Sequence, residues 1–360
     1  MLDRLLSHDP PRSRWLALAL IAILLGLAFA PFLFPGTRAL NVATKICVFV
    51  LLVASYDLLL GYTGIVSFAH TMFYGIGGYG VALMLYGFGP SWANVGLGVV
   101  AALVVAVVLA LAIGLFSLRV KAIFFAMITL AVASAFAILA SQLSALTGGE
   151  DGRSYAVPEL LRPGTRLAEG SLLGVALTGR LVTYYLVFGA SLILFLVLLR
   201  IVNSPFGRVL QAIRENPFRA EALGYRTVIH RTIATCIAAA MAALAGALMA
   251  LWLRYTGPDT TLSLAIMIDI LLMVVIGGMG TMYGAVLGAT LFVLAQNYLQ
   301  DLMAKAADAT AALPLLPRLL HPDRWLLWLG VLFVLSVYFF PTGIVGSLRR
   351  GDRPRQPRRR

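Results

Sequence analysis

The sequence predicts an all-α, polytopic membrane protein with about ten transmembrane helices. Apolar residues make up 61% of the 360 residues and charged residues only 12%, which is too apolar for an ordinary soluble domain. Basic residues gather between the apolar runs in the pattern of the positive-inside rule. The runs long enough to span a bilayer are 15–34, 40–60, 63–85, 92–118, 122–146, 181–202, 232–253, 262–276, 283–299 and 325–340.

The first run begins like a secretory signal sequence, because Arg12 and Arg14 precede it and the small residues Ala28 and Ala30 lie near its end. Pro31 comes directly after the small residues and the run continues to Phe34, so we expect a retained helix. The predicted domains are a cytoplasmic segment at 1–14, a transmembrane domain at 15–347 and a basic cytoplasmic tail at 348–360.

The distribution of charge predicts the topology. The net charge of +13 is compatible with nucleic-acid binding, but the positive charge follows one face of a membrane instead. Basic clusters lie at the N-terminus, at 119–121, in 204–231 and in the tail, and ten spans place all four in the cytoplasm. The loops 147–180 and 301–324 then lie outside, and both termini lie inside.

The third and eighth runs are expected to be broken or re-entrant, because both contain or adjoin clusters of glycine. Glycine at membrane depth permits either close helix packing or an unwound backbone that lines a cavity. For the glycines of 61–80 alone, packing is the simpler interpretation, and His70 alone is more often a hydrogen-bonded packing residue. Gly280, Gly284 and Gly288 recur every four residues and predict a small-residue stripe on one helix.

Asp269 is a functional candidate by default, because a carboxylate within a span is costly unless it is paired or faces water. The two cysteines, Cys47 and Cys236, lie within apolar spans and are expected to be small packing residues. No spacing typical of a metal site, a P-loop or a catalytic serine occurs, so the sequence indicates neither a catalytic residue, a metal site nor a cofactor on this chain.

The segment 204–231 predicts two short helices in tandem. Ser204 is a good N-cap and Pro205 suits the first helical position, and an apolar stripe from Phe206 to Ile213 follows at helical spacing. Asn216 caps a second helix, which Gly224 can end in a left-handed conformation. One interpretation is a loop lying on the membrane interface. The other is a docking element whose stripe enters a groove.

The segment strongly resembles the cytoplasmic coupling loop of the branched-chain amino-acid ABC importer permease family. SPFGRVLQAIREN and AEALG carry the resemblance, although the acidic residue and the glycine are closer together than in the broader importer consensus. The resemblance covers most of residues 40–300 and implies that the loop couples the spans to an ATPase. The implied coupling residues are Ser204, Pro205, Phe206, Gly207, Arg208, Ile213, Arg214, Glu215, Asn216, Ala220, Glu221 and Gly224.

The same resemblance implies a translocation path built from the two glycine-rich regions. G-x-x-G-x-x-S-x-x-H followed by G-x-G-x-Y is similar to an early signature of the family, and a second signature surrounds Asp269, where the family usually has glutamate. The path candidates are Gly61, Gly64, Ser67, His70, Gly75, Gly77, Tyr79, Asp269, Gly277, Gly278, Gly280 and Thr281.

The resemblance implies a non-enzymatic subunit of the bacterial inner membrane that carries branched-chain or related apolar amino acids. Its implied partners are two ABC ATPase subunits that bind ATP and Mg, a second homologous permease, and a periplasmic or lipid-anchored substrate-binding protein; membrane lipid surrounds it and nucleic acid is not a partner. A family member for urea or short amides is the nearest alternative. An ion-coupled secondary transporter is an alternative of another class, and a membrane-embedded enzyme is the weakest.

Overall fold

The computed structural model describes residues 13–34, 36–117, 122–172, 175–309, 321–340 and 342–350. Apolar helices occupy all ten predicted positions within them, and strands are confined to short pieces between helices, so the predicted all-α polytopic class is confirmed. The helices are α1 (Arg14–Ala28), α2 (Ala30–Leu33), α3 (Thr37–Asp57), α4 (His70–Phe88), α5 (Trp92–Ser117), α6 (Ala122–Gln142), α7 (Ser144–Thr147), α8 (Gly179–Val202), α9 (Pro205–Glu215), α10 (Pro217–Ala222), α11 (Thr227–Leu253), α12 (Pro258–Thr261), α13 (Leu264–Gly277), α14 (Met282–Ala309), α15 (Trp325–Phe339) and α16 (Gly343–Arg350). The strands are β1 (Arg153–Ser154), β2 (Arg166–Leu172), β3 (Val175–Thr178) and β4 (Tyr255–Thr256).

Eight helical segments in the described part of the chain are long and apolar enough to cross a membrane. Two of the predicted spans are not among them. Helix α1 has only 15 residues, and α4 has 19 residues that include several glycines. The basic clusters at 119–121 and 351–360, most of segment 1–14, and residues 310–320 of the predicted loop 301–324 lie outside the described residues.

The third and eighth spans both follow a break in the helix. Residues Leu58–Thr63 extend α3 as a π-helix that ends at Gly64, whose φ is +72°, so α4 begins at His70 rather than at residue 63. Helix α13 is preceded by the single turn of α12 and begins after Ser263, whose hydroxyl accepts a 3.2 Å bond from the Ala265 amide.

The predicted stripe of Gly280, Gly284 and Gly288 is wrong at its first member. Helix α14 begins at Met282, and Gly280 lies in the preceding turn with a φ of +78°. Gly284 and Gly288 do pack closely, against the backbone of α13 at Gly277 and Met273.

The helices connect two opposite ends of the molecule. At the end that we call the 204–231 end, α9 contacts the π-helix after α3 and the turn at 278–281. At the other, the 147–180 end, β1 pairs with β4 and the Tyr255 hydroxyl donates to the Asp151 carbonyl at 2.7 Å. Two of the predicted loops therefore lie at opposite ends, as the predicted topology requires.

The core forms around α3, α4 and α11. The spanning segment that contains α3 is 94% buried, whereas that of α6 is only 17% buried. Helices α4 and α11 approach closely because Gly77 lies against the Ala243 carbonyl and Gly246 against the Tyr74 carbonyl, where neither position has room for a Cβ. The exposed apolar faces of α5, α6 and α8 are suited to lipid or to a second membrane subunit.

Candidate functional site

The segment 204–231 folds into the two predicted helices, α9 and α10. Pro205 opens α9, and the Asn216 side chain accepts a 3.0 Å bond from the Arg219 amide to cap α10. Gly224 follows α10 with a φ of +92°, as predicted. Ser204 occupies the N-cap position, but its hydroxyl donates to the Ile201 carbonyl at 2.6 Å instead of capping the first turn.

The apolar stripe of α9 is directed into the protein itself and not toward a partner. Leu210 and Ile213 are fully buried, and Phe206 packs against the main core at half exposure. Gly207 lies against the Val202 carbonyl with no room for a Cβ, which fixes the sharp turn from α8 into α9. The stripe therefore enters a groove, as expected of a docking element, and the chain itself supplies that groove.

The apolar side chains left exposed belong to α10 and the turn after it. Phe218 is 81% exposed and Leu223 is 73% exposed. Ala220 is buried beneath them, and the Thr227 hydroxyl donates to the Glu221 carboxylate at 2.5 Å, which ties α10 to the start of α11. Sequence reasoning missed Phe218 and Leu223, although their position on an amphipathic helix beside charged residues was a usable signal. Together with Tyr225 they form the surface that we call the α10 face.

Arg214 joins this segment to two of the predicted path glycines. Its guanidinium donates to the Gly61 carbonyl, and its aliphatic part lies so close to Gly64 that a Cβ there would be 3.1 Å from Arg214 Cγ. At Gly280 a Cβ would be 3.0 Å from both Arg214 Nη1 and the Gly61 oxygen. The three positions meet in one small contact.

Asp57 completes the contact from the membrane side. It is 1% exposed, and its Oδ1 accepts a 2.9 Å bond from the Gly280 amide. Its Oδ2 has no hydrogen-bond partner among the described residues. A buried carboxylate is stabilised by such an amide and by a nearby guanidinium. We call Asp57, Gly61, Gly64, Arg214 and Gly280 the Asp57 junction.

Asp57 is the last residue of α3 and connects segments that are far apart in the sequence, because its carboxylate accepts the bond from the Gly280 amide. Thr281, which follows Gly280, donates its hydroxyl to the Gly278 carbonyl at 2.7 Å and so holds the turn. The predicted path residues Gly61, Gly64, Gly280 and Thr281 are thus adjacent, and they lie beside the segment 204–231.

His70 and Ser67 lie together just beyond this junction, at the start of α4. The His70 ring is fully buried, 2.8 Å from the Ser55 hydroxyl through Nε2, and its centroid is 5.2 Å from that of Tyr56. The Ser55 hydroxyl also donates to the Leu52 carbonyl, which leaves it to accept from His70 Nε2–H. Ser67 is buried and accepts a 3.3 Å bond from the Ala69 amide.

Gly75, Gly77, Gly277 and Gly278 occupy close-packed positions. Added Cβ atoms at Gly75, Gly77 and Gly277 would collide with Leu262, the Ala243 carbonyl and the Gly284 carbonyl respectively. Gly278 has a φ of +117° and lies near Thr342. These contacts give the glycines a packing role, and a role in solute passage stays a prediction.

Asp269 lies apart from the Asp57 junction, on a polar chain between α3, α13 and α14. Gln296 donates to Asp269 Oδ2 at 3.2 Å, and Lys45 donates to Gln296 Oε1 at 2.7 Å. The Asp269 carboxylate is therefore connected to the Lys45 ammonium group through the side-chain amide of Gln296. All three residues are half-buried.

An open cavity of about 450 Å³ lies between α4, α6 and the segment 258–264. We call it the α4–α6 cleft. Its wall combines aliphatic side chains, hydroxyls and two carboxylates, among them Thr71, Leu130, Ser134, Glu150, Asp259 and Leu262. Two of the path candidates, Gly75 and Tyr79, adjoin it through contacts with Leu262.

Tyr155 fixes the loop that carries Glu150 to the end of α11. Its hydroxyl donates to the Ala250 carbonyl at 2.9 Å and lies 3.0 Å from the Thr256 hydroxyl. Burial raises the pKa of this phenol above its ordinary value, so the group stays a neutral donor. Among the described residues, no group of three histidine, cysteine or acidic side chains is placed to hold a metal ion.

Comparisons with known proteins agree on one family. The model of the branched-chain amino acid transport system permease component matches residues 38–337. The chain is 26% identical to the high-affinity branched-chain amino acid transport system permease protein LivM of Salmonella typhimurium, over 92% of this chain and 75% of that protein. It is 25% identical to the permease protein LivH of the same organism, over 74% of this chain and 86% of that protein. No solved structure matches the chain.

Proposed function

The chain belongs to the branched-chain amino acid transport permease family, and we propose that it is the transmembrane subunit of an ATP-driven importer for branched-chain or related apolar amino acids. The ATPase lies on a separate chain that binds ATP and Mg. A second permease of the same family and a substrate-binding protein on the outer side complete the complex, which resides in the bacterial inner membrane with both termini of this chain in the cytoplasm.

The observation that carries this proposal is the α10 face. Phe218 on this short helix and Leu223 directly after it are exposed, and the helix is fixed by the buried Ala220 and by the bond from Thr227 to Glu221. Exposed aromatic and aliphatic side chains on a rigid helix suit insertion into an apolar groove of a partner protein. Lipid is a poor alternative for this face, because Arg219, Glu221 and Arg226 surround it.

The Asp57 junction gives the docked helix a route to the spans. A displacement of α10 moves α9, with which it is continuous through Asn216. Leu210 and Ile213 lock α9 into the core, and Arg214 holds the Gly61 carbonyl. Motion of a partner ATPase is thereby delivered to the π-helix and the turn at 278–281, where two helices of the core end or begin. Such an arrangement has the parts that alternating access requires.

The described part of the chain supports an ATP-driven rather than an ion-driven carrier. An ion-coupled site needs oxygens arranged around a cation or a carboxylate free to change its charge. Asp269 is instead engaged with Gln296, and Asp57 with the Gly280 amide. A family member that carries urea or short amides remains the alternative for the solute.

The test is uptake by the purified complex in proteoliposomes. Tagged chain is expected to co-purify with an ATPase and a second permease, and leucine, isoleucine or valine is expected to accumulate only with ATP on the cytoplasmic side and binding protein on the other. Uptake by this chain alone under a proton or sodium gradient would refute the assignment. Uptake of urea but not leucine would keep the class and change the solute.

A further inference from the structure

The α4–α6 cleft has the dimensions of a solute site. The lining residues of α6 recur on one face from Leu130 to Gln142, and at 1.5 Å per residue this face is about 18 Å long. Glu150 and Asp259 lie at the 147–180 end of the cleft, whereas Phe68 lies at the inner end. The volume of about 450 Å³ lies within the range of about 300–1,000 Å³ found for ligand pockets.

The mouth of the cleft is negatively charged. Glu150 and Asp259 are both exposed, and neither forms a salt bridge within the described part of the chain. No basic side chain lines the cleft. The nearby Arg153 is directed elsewhere, donating to the Ala145 carbonyl at 2.5 Å and lying over the Tyr86 ring at 4.2 Å. A cationic group is the partner that two such carboxylates lack.

Donor groups lie beside these carboxylates. Gln142 lines the cleft near its mouth, and so does Ser263, whose hydroxyl accepts from the Ala265 amide and keeps its own proton to donate. Both groups can donate a hydrogen bond to an anionic group in the cleft.

Below the mouth the wall is apolar. Leu130, Ala133, Ile138 and Leu262 supply aliphatic surface, with hydroxyls only at scattered points. An aliphatic side chain gains free energy when it leaves water for such a wall. The cleft thus offers carboxylates for an ammonium group, donors for a carboxylate, and an apolar compartment below both.

We propose that the α4–α6 cleft is a solute site on this chain that takes an α-amino acid with an aliphatic side chain, which rests on the proposed function as a transport subunit. Asp259 and Glu150 receive the ammonium group, Gln142 and Ser263 face the carboxylate, and the side chain lies against Leu130 and its neighbours. The permease therefore selects for the ammonium group itself, in addition to any selection by a binding protein.

The floor of the cleft connects this site to the Asp57 junction. The Phe68 amide donates to the buried Thr129 hydroxyl at 3.1 Å, which pins the segment 64–69 to α6. Gly64, at the other end of that segment, lies against Arg214. One short segment therefore lines the cleft through Phe68 and contacts Arg214 through Gly64.

Thiol labelling tests whether the cleft is a water-filled solute site. In a chain with Cys47 and Cys236 replaced by alanine, a cysteine is introduced by Ser134→Cys within the cleft or by Leu139→Cys on the same helix. Leu139 is 51% exposed and does not line the cleft. A membrane-impermeant thiol reagent added from outside is expected to label S134C but not L139C, and millimolar leucine is expected to slow labelling of S134C severalfold. The hydroxy acid analogue of leucine, which lacks the ammonium group, is expected to give no protection.

Absence of labelling at S134C, with labelling by a lipid-soluble maleimide, would indicate a lipid-filled groove and overturn the inference. Labelling without protection by leucine would also overturn it. Protection does not require ATP, so this result is separate from the proposed function, which is tested by ATP-dependent uptake in the wild-type complex.

Uptake kinetics test the charge requirement. Asp259→Asn is expected to raise the half-saturating leucine concentration about tenfold or more, because a charged hydrogen bond is lost, and Asp259→Glu to restore most of it. Asp151→Asn is the matched control, since Asp151 is exposed beside Glu150 but does not line the cleft. Equal kinetics for D259N and D151N, with equal amounts of assembled complex, would overturn the assignment of the ammonium subsite.

Discussion

Replacement of Arg214 by alanine is the most direct test of the Asp57 junction. The substitution removes the donor to the Gly61 carbonyl and the cation nearest to Asp57, while Leu210 and Ile213 continue to hold α9 in place. A hydrogen bond from a charged donor contributes about 1.5–3 kcal/mol. If this bond forms in the present conformation and breaks when the segment 204–231 moves, the substitution shifts the equilibrium between these two conformations by about 10- to 100-fold.

The assay is the amount of leucine taken up per ATP hydrolysed by the reconstituted complex. Arg214→Ala is expected to lower this ratio at least tenfold while the ATPase still co-purifies with the chain. Arg214→Lys keeps the charge but not the planar fork and is expected to be intermediate. Gln211→Ala is the control, because Gln211 is an exposed residue of the same helix and is not one of the implied coupling residues. An R214A complex whose ratio equals that of Q211A would refute the reasoning.

Three further predictions concern other parts of the chain. Phe218→Ala is expected to weaken retention of the ATPase at least tenfold in salt-washed membranes without loss of folded chain. Ile213→Ala, which empties a fully buried position, should instead lower the free energy of unfolding by about 2–5 kcal/mol. Unchanged retention of the ATPase by F218A would contradict the assignment of the α10 face. Gly77→Leu is expected to separate α4 from α11 and abolish stable expression, because its site has no room for a Cβ. A G77L protein with the melting temperature of the wild type would contradict the close packing of α4 on α11. Asp269→Asn should be tolerated better together with Lys45→Met than alone, because the double change leaves no unpaired charge, and additive losses of stability would argue against the polar chain through Gln296.

Local sequence signals predicted the local structure well. Pro205, Asn216 and Gly224 mark helix starts and ends through their own backbone chemistry, and the structure has those boundaries where they were expected. The apolar runs likewise predicted every long helix, because a spanning helix needs little information beyond length and apolar composition.

Contacts between distant segments could not be predicted in the same way. The surface that the apolar stripe of α9 packs against is a groove formed by other helices. The sequence of α9 does not show whether that groove belongs to this chain or to a partner. Asp57, Arg214 and Gly280 are far apart in sequence, so only the packed structure shows that they meet.

The segment 64–69 contacts the α4–α6 cleft at one end and Arg214 at the other, so a change at either contact affects the other. Linkage requires that any change in solute affinity caused by the nucleotide state be matched by an equal change in nucleotide-state preference caused by the solute. A solute in contact with Phe68 would therefore change the nucleotide-state preference of the ATPase by the same free energy by which the nucleotide state changes the affinity for the solute.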